Sequence, residues 1–264
     1  MTSASSPSLQ RSSALTQFIL APNPGPMSLD GTNSYVVSAA GANAAVVVDP
    51  GPDDEGHLRR LADLGPVELI LVTHRHADHT AGSERLRKLT GAPVRALDLR
   101  HCHGGEPLRD GDTIRAAGVA IKVLATPGHT SDSVCFHLPD DGAHGSVLTG
   151  DTILGRGTTV LDYPDGALGD YLESLDLLEA LGAATVLPAH GPVLPSLVAI
   201  ARDYRTHRLE RLAQIRAALE RLGREATVAA VADAVYADVE PSVRRAAEMS
   251  VAAQLDYLRG RAEG

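Results

Sequence analysis

Along the first 195 residues the apolar positions fall in short runs broken by glycine, proline and charged clusters. AAVVVDPG (44–51) is a β-branched run stopped by Pro50 and Gly51, and VELILVTH (67–74) is a second one; both read as strands. VAIKVLATPGHT, SVCFHLP, GSVLTGDT and ATVLPAHGP add four more. Between them lie segments with helical spacing. DDEGHLRRLADLG carries acidic residues in its first turn and Gly65 past its end, TAGSERLRKLTG follows the second strand, and LGDYLESLDLLEALG (168–182) is amphipathic and closed by Gly182. All but one of these strands end in a residue able to do chemistry: Asp49, His74, His129, Asp151 and His190. Strand ends gather at one edge of a sheet, so five such residues point to one site.

From about residue 195 the period changes. SLVAIARDYRTHRLERLAQIRAALERLG is one long helical stretch with Tyr204, Leu212, Ile215, Leu219 and Leu222 on a single face. Two or three further helices follow, with Thr227 as an N-cap and Pro241 as a break. The expected organisation is a disordered Ser-rich tail over 1–17, an α/β domain over 18–195 and a helical C-terminal domain over 196–264.

Composition narrows the function. The 264 residues carry a formal charge of −9 and only two lysines, which argues against a broad basic face for nucleic acid. Aromatic residues make up 3%, with no Trp, so aliphatic side chains and alanine fill the core. Two cysteines, Cys102 and Cys135, make no disulfide framework; free thiols and a cytoplasmic location follow as the simple expectation. The first 17 residues lack the apolar centre of a secretory signal, and no apolar run reaches 18 residues, so no membrane partner is expected.

The stretch THRHADH (73–79) then gains meaning. Imidazoles and carboxylates are the ligands of zinc and related ions. His74 and His76, two apart, offer both rings to one ion in a looped chain, while Asp78 and His79 face a second. Each set needs partners, and His129 in TPGHTSDS, Asp151 in TGDT and His190 in PAHGP are the candidates.

These motifs, in this order, resemble the metallo-β-lactamase superfamily. DGTNSYVV, PGHTSDSVCFHL, TGDTILGRGTT, LGDYLESL and LPAHGP are similar to the branch that contains β-lactamase-like protein 2, whose helical tail also has a counterpart here. The resemblance implies an αββα sandwich of four layers with a small helical unit appended. It implies that His74, His76 and His129 hold one metal, that Asp78, His79 and His190 hold a second, that Asp151 bridges them, and that Asp49 orients a ligand histidine. Two divalent ions are implied, zinc first, with manganese or iron as alternatives. The implied activity is hydrolysis by a metal-bridging hydroxide, with Asp78 orienting it and moving a proton.

Around this site, GTN (31–33) and GRGTT (155–159) either turn the chain or touch substrate, which nominates Thr32, Asn33 and Thr158; Tyr171 is a core residue or a fourth contact. The arginines of 202–224 read as a solvated helix face or as a phosphate-binding rim. A phosphodiester in single-stranded RNA and a (thio)ester are the two substrate classes, RNA leading on resemblance alone. A glyoxalase II-like or acyl-carrier thioesterase is the alternative. An iron-dependent sulfur oxygenase ranks lower, and so does a true β-lactamase, because the commonest lactam-hydrolysing class has cysteine where this chain has Asp151. Oligomeric state is left open.

Overall fold

Strict alternation along the central strands is what stacks this chain in layers. In the strands Ala45–Val48 and Val67–Leu71, Val46, Val48, Leu69 and Leu71 face one way, and Val47 and Ile70 the other. Both sets are buried, so each sheet is covered on both faces. The computed structural model describes residues 8–236 and 243–260.

The first sheet contains β1 (Gln10–Arg11), β2 (Thr16–Leu20), β3 (Asn33–Val37), β4 (Ala45–Val48), β5 (Val67–Leu71) and β6 (Val94–Arg95) in that spatial order. The second runs β11-β10-β9-β8-β7, from β7 (Thr113–Ala116), β8 (Val119–Ala125), β9 (Val134–Leu138), β10 (Ser146–Gly150) and β11 (Thr185–Pro188). Parallel pairs occur at β4–β5, β5–β6 and β10–β11; the remaining strand pairs are antiparallel. Tyr35, Val37, Val48 and Leu71 of the first sheet meet Ile121, Val123, Phe136 and Leu148 of the second in the central core. On the outer face of the first sheet lie α1 (Glu55–Ala62) and α3 (Ser83–Thr90), separated in the chain by the single turn α2 (Ala77–Thr80). On the outer face of the second lie α4 (Leu168–Glu179) and α5 (Leu197–Leu222). This is the expected four-layer sandwich.

The helices after the sandwich are α5, α6 (Val228–Val235) and α7 (Arg244–Gly260), which enclose a small core of Ile215, Ala218, Val231, Val251 and Leu255. Thr227 caps α6 as its sequence implied, its hydroxyl accepting from the Ala230 amide at 3.2 Å. Pro241 lies outside the described residues. The N-terminal half of α5 belongs to the sandwich, because Leu197, Ala201, Tyr204 and Leu212 join the core of the second sheet's outer face.

The tail expected over 1–17 is corrected in its second half. Residues 10–11 and 16–17 are strand. The buried Asp141 carboxylate accepts from the Ser13 hydroxyl at 2.5 Å, the Leu15 amide at 3.0 Å and the Ser146 hydroxyl at 2.5 Å, which binds this segment to the far sheet. Residues 1–7 lie outside the described part.

The sheets converge at the strand ends that carry the candidate residues. The Asn33 amide donates to the Ala189 carbonyl at 2.7 Å, and the Val134 amide to the Thr73 carbonyl at 2.9 Å, each joining one sheet to the other.

Candidate metal centre

Five histidines reach this edge, and in each the outer ring nitrogen faces a protein group. His74 Nδ1 lies 3.1 Å from the Thr73 hydroxyl, whose proton goes to Asp49. His76 Nε2 lies 3.0 Å from Asp162 Oδ2, and His129 Nδ1 2.6 Å from the Val160 carbonyl. His79 Nδ1 lies 2.9 Å from Asp49 Oδ2, and His190 Nδ1 3.1 Å from the Gly31 carbonyl. Carbonyls and carboxylates only accept, and the Thr73 hydroxyl has given its proton away, so each of these nitrogens carries the hydrogen. The inner nitrogen of each neutral ring is then a bare lone pair.

The lone pairs converge. His76 Nδ1 is 3.0 Å from His74 Nε2 and 3.1 Å from His129 Nε2. Nitrogens on a tetrahedral ion with metal–nitrogen distances of about 2.0–2.1 Å sit roughly 3.3 Å apart, so the spacing fits shared coordination. In the second group, His190 Nε2 is 3.2 Å from Asp78 Oδ2, and His79 Nε2 is 3.7 Å from the same oxygen. Asp151 faces both groups: Oδ2 lies 3.7 Å from His129 Nε2, and Oδ1 lies 3.3 Å from His190 Nε2 and 3.6 Å from His79 Nε2. Candidate ligand atoms within His74, His76, His129 and Asp151, and within Asp78, His79 and His190, all approach to 4.8 Å or less. His79 Nε2, His190 Nε2 and Asp151 Oδ1 are buried with no hydrogen-bond partner. Buried polar atoms of a native site find partners, and three orphans pointing at one another fit a cation between them.

The electrostatics agree. Burial, reinforced by the neighbouring rings, holds His74 well below the usual histidine range; burial likewise takes His129 down to about 4, against the pull of Asp151. Burial opposes protonation of His79 too, yet the Asp49 and Asp151 charges push it up to about 10, and Asp151 with Asp78 raises His190. The second group therefore favours positive charge strongly, which a divalent ion supplies.

Local structure sets these positions. His74 and His76 follow the end of β5, His74 in a bend and His76 in extended backbone, and α2 carries Asp78 and His79. Asp49 sits at φ 52°, a left-handed conformation that Asp tolerates, and this turns its carboxylate under the cluster. Gly128, at φ 134°, lets the His129 loop lie against α4, where a Cβ would meet the Tyr171 backbone at 2.4 Å.

All seven proposed ligands and Asp49 thus come together. The proposed substrate contacts do not. Thr32 is buried and donates to the Asp78 carbonyl at 3.1 Å, so it braces the ligand turn. Asn33 is buried and donates to the Pro188 and Gly191 carbonyls, each at 2.9 Å, so it fixes the loop bearing His190. Tyr171 is a core residue whose hydroxyl donates to the Thr152 carbonyl at 2.7 Å. Only Thr158 is exposed and lines the cleft. Sequence reasoning passed over Asp162, which holds His76 and is itself paired to Arg75; LDYPDG has no spacing relation to a histidine 86 positions earlier. An acid in the segment between Asp151 and α4 was the available hint.

A cleft of about 300 Å³ opens beside His129 and Asp151. Leu29, Leu154 and Val160 line it on the sandwich side, and Arg208, Arg211 and Ala247 bring α5 and α7 to the other. Met27 and Met249 stand near His76 and Asp78 in an adjoining hollow that shares Met27, His129 and Val160 with the cleft.

Comparison with known proteins agrees with this geometry. Residues 27–190 match the family model described as the metallo-beta-lactamase superfamily. The chain is 33% identical over 260 residues to a beta-lactamase-like protein 2 homolog of Caenorhabditis elegans, covering 94% of this chain and 84% of that one. It is 32% identical over 219 residues to an atrochrysone carboxyl ACP thioesterase of Aspergillus chevalieri, covering 81% and 68%. A crystal structure of a metallo-beta-lactamase family protein from Thermus thermophilus superposes with a TM-score of 0.78 at 25% identity, covering 94% of each chain. The strand-end histidines, the two-sheet sandwich and these likenesses have one reading: the chain belongs to the metallo-β-lactamase superfamily.

Proposed function

We propose that this metallo-hydrolase cleaves an acyl thioester with water, using two divalent ions, zinc first. His74, His76, His129 and Asp151 would hold one ion, and Asp78, His79, His190 and Asp151 the other. Bound there, the ions supply an activated water and polarise the scissile carbonyl. Asp78 is the carboxylate ligand that borders the hollow adjoining the cleft, beside His76 and His129, so it would orient the water and take its proton. Five imidazoles favour zinc, and the all-nitrogen-and-oxygen set also accepts manganese or iron.

The observation that carries the thioester reading is the cleft wall. Met27, Leu29, Leu154 and Val160 present apolar surface beside the ligands, which suits an acyl group. Of the seven arginines of 202–224, read as a solvated helix face or a phosphate rim, three are engaged or buried. Arg202 pairs with Glu179 and Arg205 with Asp176, each at 2.7 Å, and Arg208 is buried. The likeness to a thioesterase supports the same reading. The phosphodiester reading keeps one specific support: Arg156, His207 and Arg211 also border the cleft. The test is a side-by-side assay of wild type and Asp78→Asn on an N-acetylcysteamine acyl thioester and a fluorescent single-stranded RNA. Thioester turnover lost on chelation and in Asp78→Asn is expected. Asp78-dependent cleavage of RNA with an inert thioester would replace this reading with the nuclease one.

A further inference from the structure

We propose that Arg208 is a positioning residue for the first metal group, acting from the helical unit through the segment 154–162. The inference rests on the two-ion reading of the site. Arg208 sits on α5 at 2% exposure, and among the described residues no carboxylate lies within ion-pair distance of it. A buried, unpaired guanidinium is costly, so its other contacts must account for it. The guanidinium lies 5.0 Å from the centre of the Tyr171 ring and its Nη2 donates to the Thr159 carbonyl, while its Nε is buried without a hydrogen-bond partner.

That carbonyl belongs to the segment bonded to three ligand residues, Asp151, His129 and His76. Thr159 donates its hydroxyl to the Asp151 carbonyl at 2.7 Å. The next carbonyl, Val160, accepts from His129 Nδ1 at 2.6 Å. Two residues on, the Asp162 amide donates to the His129 carbonyl at 2.9 Å, and its carboxylate accepts from His76 Nε2 at 3.0 Å. The segment has no helix or strand of its own between β10 and α4, so its shape depends on such bonds. One turn earlier on α5, Tyr204 grips the same segment: its hydroxyl accepts from the Leu154 amide and donates to the Gly157 carbonyl, each at 3.0 Å. Positions 204 and 208 thus form an i, i+4 clamp on one side of the segment, and His76 and His129 hang from the other. The outer nitrogens of His79 and His190 are held by Asp49 and Gly31, which α5 does not touch through these bonds. Loss of Arg208 should therefore weaken the first group, which hangs on this segment through His76, His129 and Asp151, more than the second, which shares only Asp151 with it.

The test is cobalt(II) titration of full-length wild type, Arg208→Met and Arg208→Lys, read by d–d absorption and by competition with a chelator. Wild type should take up two equivalents. Arg208→Met keeps much of the aliphatic bulk but no donor; one equivalent should change little and the other bind about ten- to a hundredfold more weakly, with an altered spectrum. Arg208→Lys keeps the charge without the planar fork and should fall between. If Arg208→Met does not fold, Arg208→Lys carries the same selective readout at smaller amplitude. Two wild-type-like equivalents in the variants overturn the inference. So does equal weakening of both equivalents in step with a lowered unfolding temperature of the chelated protein, since that marks a merely structural role. A wild type that binds fewer than two equivalents sinks the two-ion reading itself.

Discussion

Asp49→Asn removes one negative charge and almost no volume, and its effect can be worked from the three bonds the carboxylate accepts. Oδ1 takes the Thr73 amide at 2.8 Å; Oδ2 takes the Thr73 hydroxyl at 2.8 Å and His79 Nδ1 at 2.9 Å. Asparagine has two ways to sit here. With its NH2 at the Oδ1 position, it faces the Thr73 amide hydrogen, and two buried donors oppose each other. With its NH2 at the Oδ2 position, the Thr73 hydroxyl can turn and accept, but His79 Nδ1 must accept as well. His79 then carries its hydrogen on Nε2, aimed at Asp78 and Asp151, and has no lone pair to give a metal. Either way one charge-assisted bond is lost, about 1.5–3 kcal/mol, or roughly a factor of ten to a hundred and fifty. This agrees with the roughly ten- to hundredfold loss of affinity usual when a ligand's outer partner is removed. Zinc competition against a chromophoric chelator should therefore show the second-group equivalent weakened by about that factor, the first group less affected, and turnover reduced in parallel. Two equivalents bound as tightly as in wild type would refute the tautomer argument.

His76→Ala should lose metal content and turnover together, because His76 Nδ1 is the nitrogen nearest both His74 and His129; elemental analysis beside the thioester assay checks this, and full activity in chelator would contradict it. Gly128→Ala places a methyl 2.4 Å from α4 backbone at φ 134° and should destabilise by about 3 kcal/mol, whereas Gly41→Ala, at φ 78° with nothing near, should cost only about 1 kcal/mol; urea midpoints decide, and equal costs would refute the packing account. His57 is buried against the Ser34 hydroxyl at 2.8 Å, and burial, with the Arg60 charge, pushes it down to about 4. Between pH 6.5 and 4 the unfolded chain holds this proton and the folded one does not, so stability rises with pH across that window. Up to about 3 kcal/mol is lost on acidification, and His57→Gln should flatten the slope in urea unfolding.

The candidate residues were legible because they follow strands with clear patterns: Asp49, His74, Asp151 and His190 each follow an apolar run. Their grouping around two ions and the four-layer sandwich came from the family resemblance, not from those runs alone. What escaped was set by tertiary contacts. Thr16 to Leu20 mixes polar and apolar residues at the end of a Ser-rich stretch, and only pairing with β3 and the anchor at Asp141 reveal it as sheet. Thr32, Asn33 and Tyr171 are polar and near the site in sequence, yet their groups are spent on backbone carbonyls. Arg208 looks like its neighbours on a charged helix, and nothing local distinguishes the one that is buried.

Each candidate metal group draws on both sheets. The first takes His74 and His76 from beyond β5 and His129 and Asp151 from the other sheet's side; the second joins Asp78 and His79 to His190. A bound ion is thus a rivet across the seam of the sandwich, and sliding one sheet past the other must break it. Folding and metal supply are then one equilibrium: free ion at a thousand times its dissociation constant adds about 4 kcal/mol to the resistance of the seam. The gain is smaller than the affinity alone implies, since the local run from His74 to His79 can still grip an ion in the unfolded chain. When the ion is scarce, the sheets are joined by their apolar core and a few backbone bonds such as Asn33 to Ala189, and the seam is where the sandwich should come apart first.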